Sequence, residues 1–281
     1  MVVEKIEQFI EAVKDLPAAP QVLPRLLTAL NDDNADLDEV GDIISFDPAL
    51  TTRLLRFCNS AFFAGAEPVA TVPEAIGRVG FESLYLLTTA ACGAAVFTLP
   101  SGCGVDSTDL WKHSLLSAFG TKFVAESIAA DNNLLFTGGL LHDVGRIIFA
   151  RVKGAEYGLM VQQAQSEGIN LAQLERELFG FDHAEVSAGL MVKWKIPGPL
   201  IECVRYHHRP SEAGPIQREA ACVCVGNVLA HTMGQTLVYS ADPLDELVNS
   251  MNLLGINPEN MQDFGEQMKE NWEFVNALLR C

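Results

Sequence analysis

The chain has 281 residues, which is enough for one large domain or for two lobes that each bury a core. Hydrophobic residues make up 49% of the chain, and this excludes an intrinsically disordered protein. The formal net charge of -17 lacks the basic footprint of a general nucleic-acid binder and disfavours binding to anionic membranes.

Apolar residues recur at intervals of three and four along almost the whole chain, which predicts an all-α fold. Asp47 before Pro48 is typical of a helix N-terminus. The segment 99–104, Leu-Pro-Ser-Gly-Cys-Gly, is expected to stop a helix. We therefore predict an N-terminal helical lobe over residues 1–100 and a second helical lobe over residues 105–281, with the boundary near residues 99–107.

The second lobe carries further helix signals. Asp182, followed three residues later by Glu185, predicts a capping box that opens a helix at residue 183. A final amphipathic helix is predicted from about Pro258 to Arg280, and its apolar spacing suits either core packing or the surface of a homodimer.

The chain shows neither a signal peptide at its start nor an uncharged apolar run of 18 residues. We therefore expect no membrane span and a cytoplasmic location. The seven cysteines are scattered without a CxxC pair, so we interpret them as small buried hydrophobic residues and not as a disulfide framework.

Five of the six histidines stand in contexts that suggest one common site. In chain order, the candidate ligands are His113 in an apolar helix, the pair His142-Asp143, His183 at a helix start, and the pair His207-His208 at a helix end. A single histidine in an amphipathic helix usually only hydrogen-bonds a neighbour, and an HD or HH dipeptide arises readily by chance. The ordered series is more specific, because neutral imidazoles and a bridging carboxylate are ligands of transition metals.

Two other features bear on this site. Gly138-Gly139 and Gly145 flank the HD pair and would allow other backbone to come close. His231 fits no such series, and we interpret it as a surface or helix-end residue.

Several short motifs stand in a characteristic order along residues 12–210. They are Leu16-Pro17, Pro20, the turn at 47–50, Asn59-Ser60, LWKHS, GLLHDVGR and YHH. Together they resemble the HDOD family, a divergent branch of the HD superfamily of metal-dependent phosphohydrolases. The resemblance implies an all-helical fold with an HD-like second lobe, and a role in bacterial-type signal transduction.

Compared with the active HD-GYP phosphodiesterases of that superfamily, the chain matches the histidines and the HD pair but departs elsewhere. Asn227 stands where a late aspartate is expected, Arg146 replaces a lysine, and residues 209–211 replace the GYP segment. The resemblance implies one complete metal position, made of Asp143, His183, His207 and His208. It implies a second position, made of His113, His142 and Asp143, that has lost a charged ligand.

The expected cofactor is one or two divalent transition metal ions, with iron or manganese ahead of zinc or nickel.

Two functions stay open. The first is a regulatory protein that acts through contacts with signalling proteins and has little or no catalysis. The second is a metal-dependent phosphohydrolase acting on a nucleotide or a cyclic dinucleotide, with Asp143 bridging the metals and Arg146 or Lys112 neutralising the phosphate. An intermediate case is a metal that serves only as a structural or redox-sensing element. We expect neither a membrane nor a nucleic acid as a partner.

Overall fold

The computed structural model describes residues 2–13, 22–30, 37–60, 63, 67–233 and 244–279. These residues form α-helices and two short 3-10 turns without a β-strand, which confirms the all-α prediction. Leu16, Pro17 and Pro20, three of the family-like positions, lie outside the described residues.

The helices belong to two compact units. The first unit comprises residues 1–17 and 97–268, and the second comprises residues 18–96 and 269–281. The helices of the first unit are α1 (Val2–Glu11), α6 (Ser107–Ser127), α7 (Asn132–Leu141), α8 (Val144–Lys153), α9 (Ala155–Glu167), α10 (Leu171–Phe179), α11 (His183–Lys193), α12 (Gly198–Arg205), α13 (Gln217–Thr232), α14 (Leu244–Leu254) and α15 (Pro258–Glu270). The helices of the second unit are α2 (Val22–Leu30), α3 (Leu37–Ser45), α4 (Pro48–Cys58), α5 (Val72–Val96) and α16 (Trp272–Leu279).

The sequence predicted a single division of the chain near residues 99–107. In the structure, the N-terminal residues instead belong with the second half of the chain, and the C-terminal residues belong with the first half. The first helix packs with the second half of the chain, because the Phe9 ring lies 4.8 Å from the Phe149 ring and 5.2 Å from the Phe181 ring. The last helix packs with the first half, because the Phe274 ring lies 5.6 Å from the Phe57 ring. These long-range aromatic contacts leave no local signal in the sequence.

The second unit contains two features expected from the sequence. Asp47 caps α4, and its Oδ1 accepts hydrogen bonds from the backbone N–H groups of Ala49 (2.9 Å) and Leu50 (3.0 Å). After α4, the Asn59 side-chain amide makes two 2.8 Å hydrogen bonds with the backbone of Val69. Asn59, one of the family-like positions, therefore links the end of α4 to Val69, which precedes α5 by three residues.

Helix α5 is the one helix among the described residues that is long and apolar enough to cross a membrane. Of its most apolar 18-residue stretch, 56% is buried within the protein, as is usual for a core helix. Gly80, with a φ of 77°, also interrupts its helical course.

In the first unit, α6 packs closely against both α7 and α13. A side chain at Gly226 of α13 would lie only 2.5 Å from the backbone nitrogen of Thr121 on α6. The glycine therefore permits a backbone approach that any other residue would block. The six cysteines within the described part of the chain are buried and form no disulfide there, as the sequence predicts.

Candidate metal centre

The first unit brings the six candidate ligands together from five separate elements. His113 lies within α6, His142 and Asp143 form the junction between α7 and α8, His183 opens α11, and His207 and His208 follow α12. Each of these side chains belongs to a residue that is at most 3% exposed. Residues far apart in the sequence thus meet in a fully buried place, and all of them except His113 lie at helix ends.

Gly145 explains why the start of α8 meets the start of α11. A Cβ at this position would lie 2.7 Å from the backbone nitrogen of Ser187, so only glycine fits. Ser187 Oγ accepts a 2.8 Å hydrogen bond from the Gly145 N–H and donates a 2.7 Å bond to the His142 carbonyl. This contact places the HD pair beside His183, as the glycine pattern predicts.

The capping box at Asp182 sets the first turn of α11. Asp182 Oδ1 accepts from the Glu185 N–H at 2.9 Å, and Glu185 Oε2 accepts from the Asp182 N–H at 3.0 Å. Arg176 forms an ion pair with the other oxygen of Asp182. His183 is therefore held as the first helical residue, as predicted.

The donor atoms of Asp143, His183, His207 and His208 lie within 4.8 Å of one another. His183 Nε2 is 3.1 Å from Asp143 Oδ1 and 2.8 Å from His208 Nε2. Two ligand atoms bound at about 2.1 Å and at right angles around one ion are separated by about 3 Å. These two separations therefore fit neighbouring ligands of a single transition metal ion.

Hydrogen bonds at the far side of the rings orient two of the imidazoles. His142 Nδ1 is 2.7 Å from the Gly139 carbonyl, and His207 Nδ1 is 2.7 Å from the Val204 carbonyl. Because a carbonyl only accepts, Nδ1 carries the hydrogen and Nε2 keeps its lone pair. Both Nε2 atoms are buried and have no hydrogen-bond partner in the described structure, which is what a metal ligand requires.

Glu175 holds the third imidazole and was not identified from the sequence. Its Oε2 accepts from the His183 backbone N–H at 2.7 Å and from His183 Nδ1 at 2.6 Å, and its Oε1 accepts from the Tyr157 hydroxyl at 2.7 Å. A carboxylate behind a ligating histidine fixes the ring and raises its basicity. The sequence feature that could have identified Glu175 is its position as an acidic residue on the apolar face of α10, beside Leu171 and Ala172.

Burial and neighbouring charges determine the protonation of the group. Burial lowers the pKa of His113, His142 and His207, so these rings are neutral at neutral pH. Burial alone would raise the pKa of Asp143, but His142, Arg146 and His183 hold it well below its usual range. Asp143 therefore offers a carboxylate, and His113, His142 and His207 offer neutral imidazoles, which are the forms that bind a divalent metal.

His183 differs from the other rings. Burial by itself would lower its pKa, but the carboxylates of Glu175 and Asp143 outweigh burial and raise the pKa to about 10. In the absence of a metal, this ring holds a proton between the two carboxylates.

The second group, His113, His142 and Asp143, is looser. His113 Nε2 lies 3.7 Å from Asp143 Oδ2, and His142 Nε2 lies 3.6 Å from Asp143 Oδ1. Arg146, which is 1% exposed, donates from Nη1 to the same Asp143 Oδ2 at 3.0 Å. Asn227, at the position of the expected late aspartate, is buried in α13.

His231 lies closer to this group than its sequence context indicated. It is in the last turn of α13 and half-buried, and its ring centroid is 4.5 Å from that of His113. Its spacing of four residues from Asn227 was the available signal, because residues at i and i+4 share a helix face.

The comparisons with known proteins agree with this architecture. An uncharacterized protein of Treponema pallidum (strain Nichols) is 28% identical over 218 residues, which cover 73% of this chain and 41% of that protein. The chain thus spans less than half of that relative's length. A crystal structure of an HDOD domain protein of unknown function from Geobacter sulfurreducens has a TM-score of 0.76 at 24% identity, covering 99% of this chain and 96% of the other.

A second solved structure, of a candidate phosphohydrolase from Shewanella amazonensis SB2B, has a TM-score of 0.72 at 23% identity. It covers 98% of this chain and 97% of the other. At these identities the structures show the fold alone. The family model of the HDOD domain matches residues 16–210, well over half of the sequence, and the chain therefore belongs to the HDOD domain family.

Proposed function

We propose that the chain is a signal transduction protein that acts through contacts with other signalling proteins, and that its metal centre serves to hold the first unit together. Asp143, His183, His207 and His208 would bind one divalent transition metal ion. Iron or manganese is expected ahead of zinc or nickel.

One observation carries this proposal: the four donor groups of the first position are all supplied by the protein and are all buried. Structural zinc sites close their coordination shell with four protein ligands, whereas catalytic zinc sites keep a position open for water or substrate. Four convergent protein ligands, each at most 3% exposed, match the closed type.

The electrostatics of the chain support the same assignment. A net charge of -17 repels anionic phosphate esters, and the buried Arg146 is engaged by Asp143. The HDOD domain protein from Geobacter sulfurreducens is of unknown function, so no activity is carried over from it.

The test compares turnover and stability in the same preparations. Wild-type protein loaded with Mn²⁺ or Fe²⁺ is incubated with a nucleotide panel, cyclic dinucleotides and a chromogenic phosphodiester. We expect no turnover above buffer, while His208→Ala lowers Tm because the ion no longer stabilises the fold. A turnover number of about 1 s⁻¹ or more that disappears in His208→Ala would refute the proposal.

A metal-dependent phosphohydrolase acting on a nucleotide or cyclic dinucleotide is the second candidate. The observation in its favour is the second group, in which Asp143 lies within 4 Å of both His113 and His142. Two ions would supply a water of lowered pKa and neutralise charge on the phosphate, and Asp143 would bridge them. In this case His113→Ala would abolish a turnover that the wild-type protein shows.

A further inference from the structure

We infer that the chain binds one metal ion and not two, and that the guanidinium of Arg146 is the permanent cation at the second position. The inference rests on the proposed metal site. It goes further by excluding a second ion at the other group and by giving Arg146 a role other than contact with a substrate.

The two oxygens of Asp143 face different partners. Oδ1 lies 3.1 Å from His183 Nε2, within the four-ligand group. Oδ2 lies 3.0 Å from Arg146 Nη1 and 3.7 Å from His113 Nε2. His142 Nε2 lies 3.6 Å from Oδ1, which belongs to the four-ligand group. Oδ2 is thus the Asp143 oxygen left for a second ion beside His113, and it is already paired with a cation.

Arg146 cannot withdraw easily from this place. It is one of the largest fully buried side chains, and its position three residues after Asp143 puts both groups on one side of the α7–α8 junction. A guanidinium stays protonated at all ordinary pH values, so its charge is permanent. Arg146 Nε is also buried, so the whole group lies inside the protein and does not face solvent.

A second divalent ion would have to sit beside this buried charge. Like charges at short range repel strongly in a protein interior, and only further carboxylates could offset the repulsion. Asp143 is the one carboxylate in the group that contains His113 and His142. Asn227, which stands where the active pattern has an aspartate, offers a neutral carbonyl at best.

At the second position, the positive charge of Arg146 therefore neutralises the negative charge of Asp143 without a metal ion. The carboxylate that would otherwise bridge two ions instead joins one ion to one guanidinium. A two-metal clamp on a phosphate ester is not available to such a centre.

The test is the metal content of the full chain. Wild-type protein is loaded with excess Mn²⁺, freed of unbound metal by gel filtration, and measured by elemental analysis and electron paramagnetic resonance. We expect one equivalent per chain and the spectrum of an isolated ion. Two equivalents, or the spectrum of a coupled pair, would overturn the inference while leaving the proposed metal site intact. No bound metal would overturn both.

Two matched variants locate the ion. His113→Ala should keep one equivalent, because His113 belongs only to the second position. His208→Ala should lose it, because His208 belongs only to the first. Loss of the ion in His113→Ala together with retention in His208→Ala would contradict the assignment.

A third variant removes the buried cation and supplies a further carboxylate. Arg146→Gln combined with Asn227→Asp should raise the content to two equivalents, with circular dichroism used to check that the protein is folded. A folded double variant that still binds one ion would show that Arg146 and Asn227 do not limit the stoichiometry. If the double variant does not fold, the two histidine variants decide the question.

Discussion

Glu175 is the residue whose substitution tests most directly how the centre orients its ligands. We expect Glu175→Gln to weaken metal binding about 10- to 100-fold, the usual effect of losing an outer-shell carboxylate. Gln keeps the shape but not the charge, so His183 loses basicity. The dissociation constant is measured by competition with a chromogenic chelator. The control is Glu177→Gln, an exposed position on the same helix, which should leave the affinity unchanged.

The protonation of His183 gives the centre a pH dependence. Because its pKa is raised to about 10 without a metal, the ring is protonated at neutral pH and must release that proton to bind an ion. Affinity should therefore rise about tenfold per pH unit between pH 6 and 8. Calorimetry in buffers of different ionisation enthalpy would show the released proton. An affinity that is flat over this range would contradict the raised pKa.

At this scale, the sequence predicted the candidate ligand residues, which the structure brings close together, but not the residues that support them. The histidines and Asp143 were found because their order along the chain follows a known pattern. Glu175 and His231 act through contacts that arise only when α10 meets α11 and α13 meets α6. The local signals, an acidic residue on an apolar helix face and an i, i+4 spacing, mark these two residues but do not specify their partners.

At the scale of elements, the approach of α8 to α11 depends on one glycine. Gly145→Ala would place a methyl group 2.7 Å from the Ser187 nitrogen, and the two helices would have to separate. We expect a loss of about 1–3 kcal/mol of unfolding free energy and a weaker metal site, measured by denaturant titration with and without Mn²⁺.

Gly265→Ala is the matched control for that variant. Gly265 lies inside α15 with no atom within 4 Å of an added Cβ, so alanine should be neutral or stabilise the protein by up to about 1 kcal/mol. Equal destabilisation by both variants would show that the close approach at Gly145 is unimportant.

Helix starts were predictable where a side chain caps the backbone. Asp47 and Asp182 both act as predicted, because their carboxylates bond to N–H groups two or three residues away. The prediction of one continuous final helix from about Pro258 to Arg280 was wrong, because α15 ends at Glu270 and α16 begins at Trp272. The two helices pack in different units, and this tertiary packing requires a break between them. The apolar spacing of the sequence continues through that break, so it gives no sign of it.

At the scale of the whole molecule, α16 supplies part of the core of the second unit. The Phe274 ring lies 5.6 Å from Phe57 and 5.8 Å from Phe63. We expect Phe274→Ala to cost about 3–5 kcal/mol, seen as faster hydrogen exchange in α4 and α5. Metal content should stay unchanged, because every candidate ligand lies in the first unit.

Phe46→Ala provides the comparison for this effect. Phe46 belongs to the same unit but is 77% exposed, so its removal should change stability little. If Phe274→Ala lost its bound metal while Phe46→Ala kept it, the assignment of the centre to the first unit alone would be contradicted.

The completion of the second unit by α16 has a consequence for biosynthesis. Residues 18–96 leave the ribosome early, but the aromatic side chain that packs against Phe57 arrives only after the roughly 170 intervening residues have been made. At about 5–20 residues per second this delay is on the order of ten seconds or more. Nascent chains therefore expose an incomplete apolar core to the cell during translation, and chaperones that shield such surfaces should associate with this half of the chain before it is released.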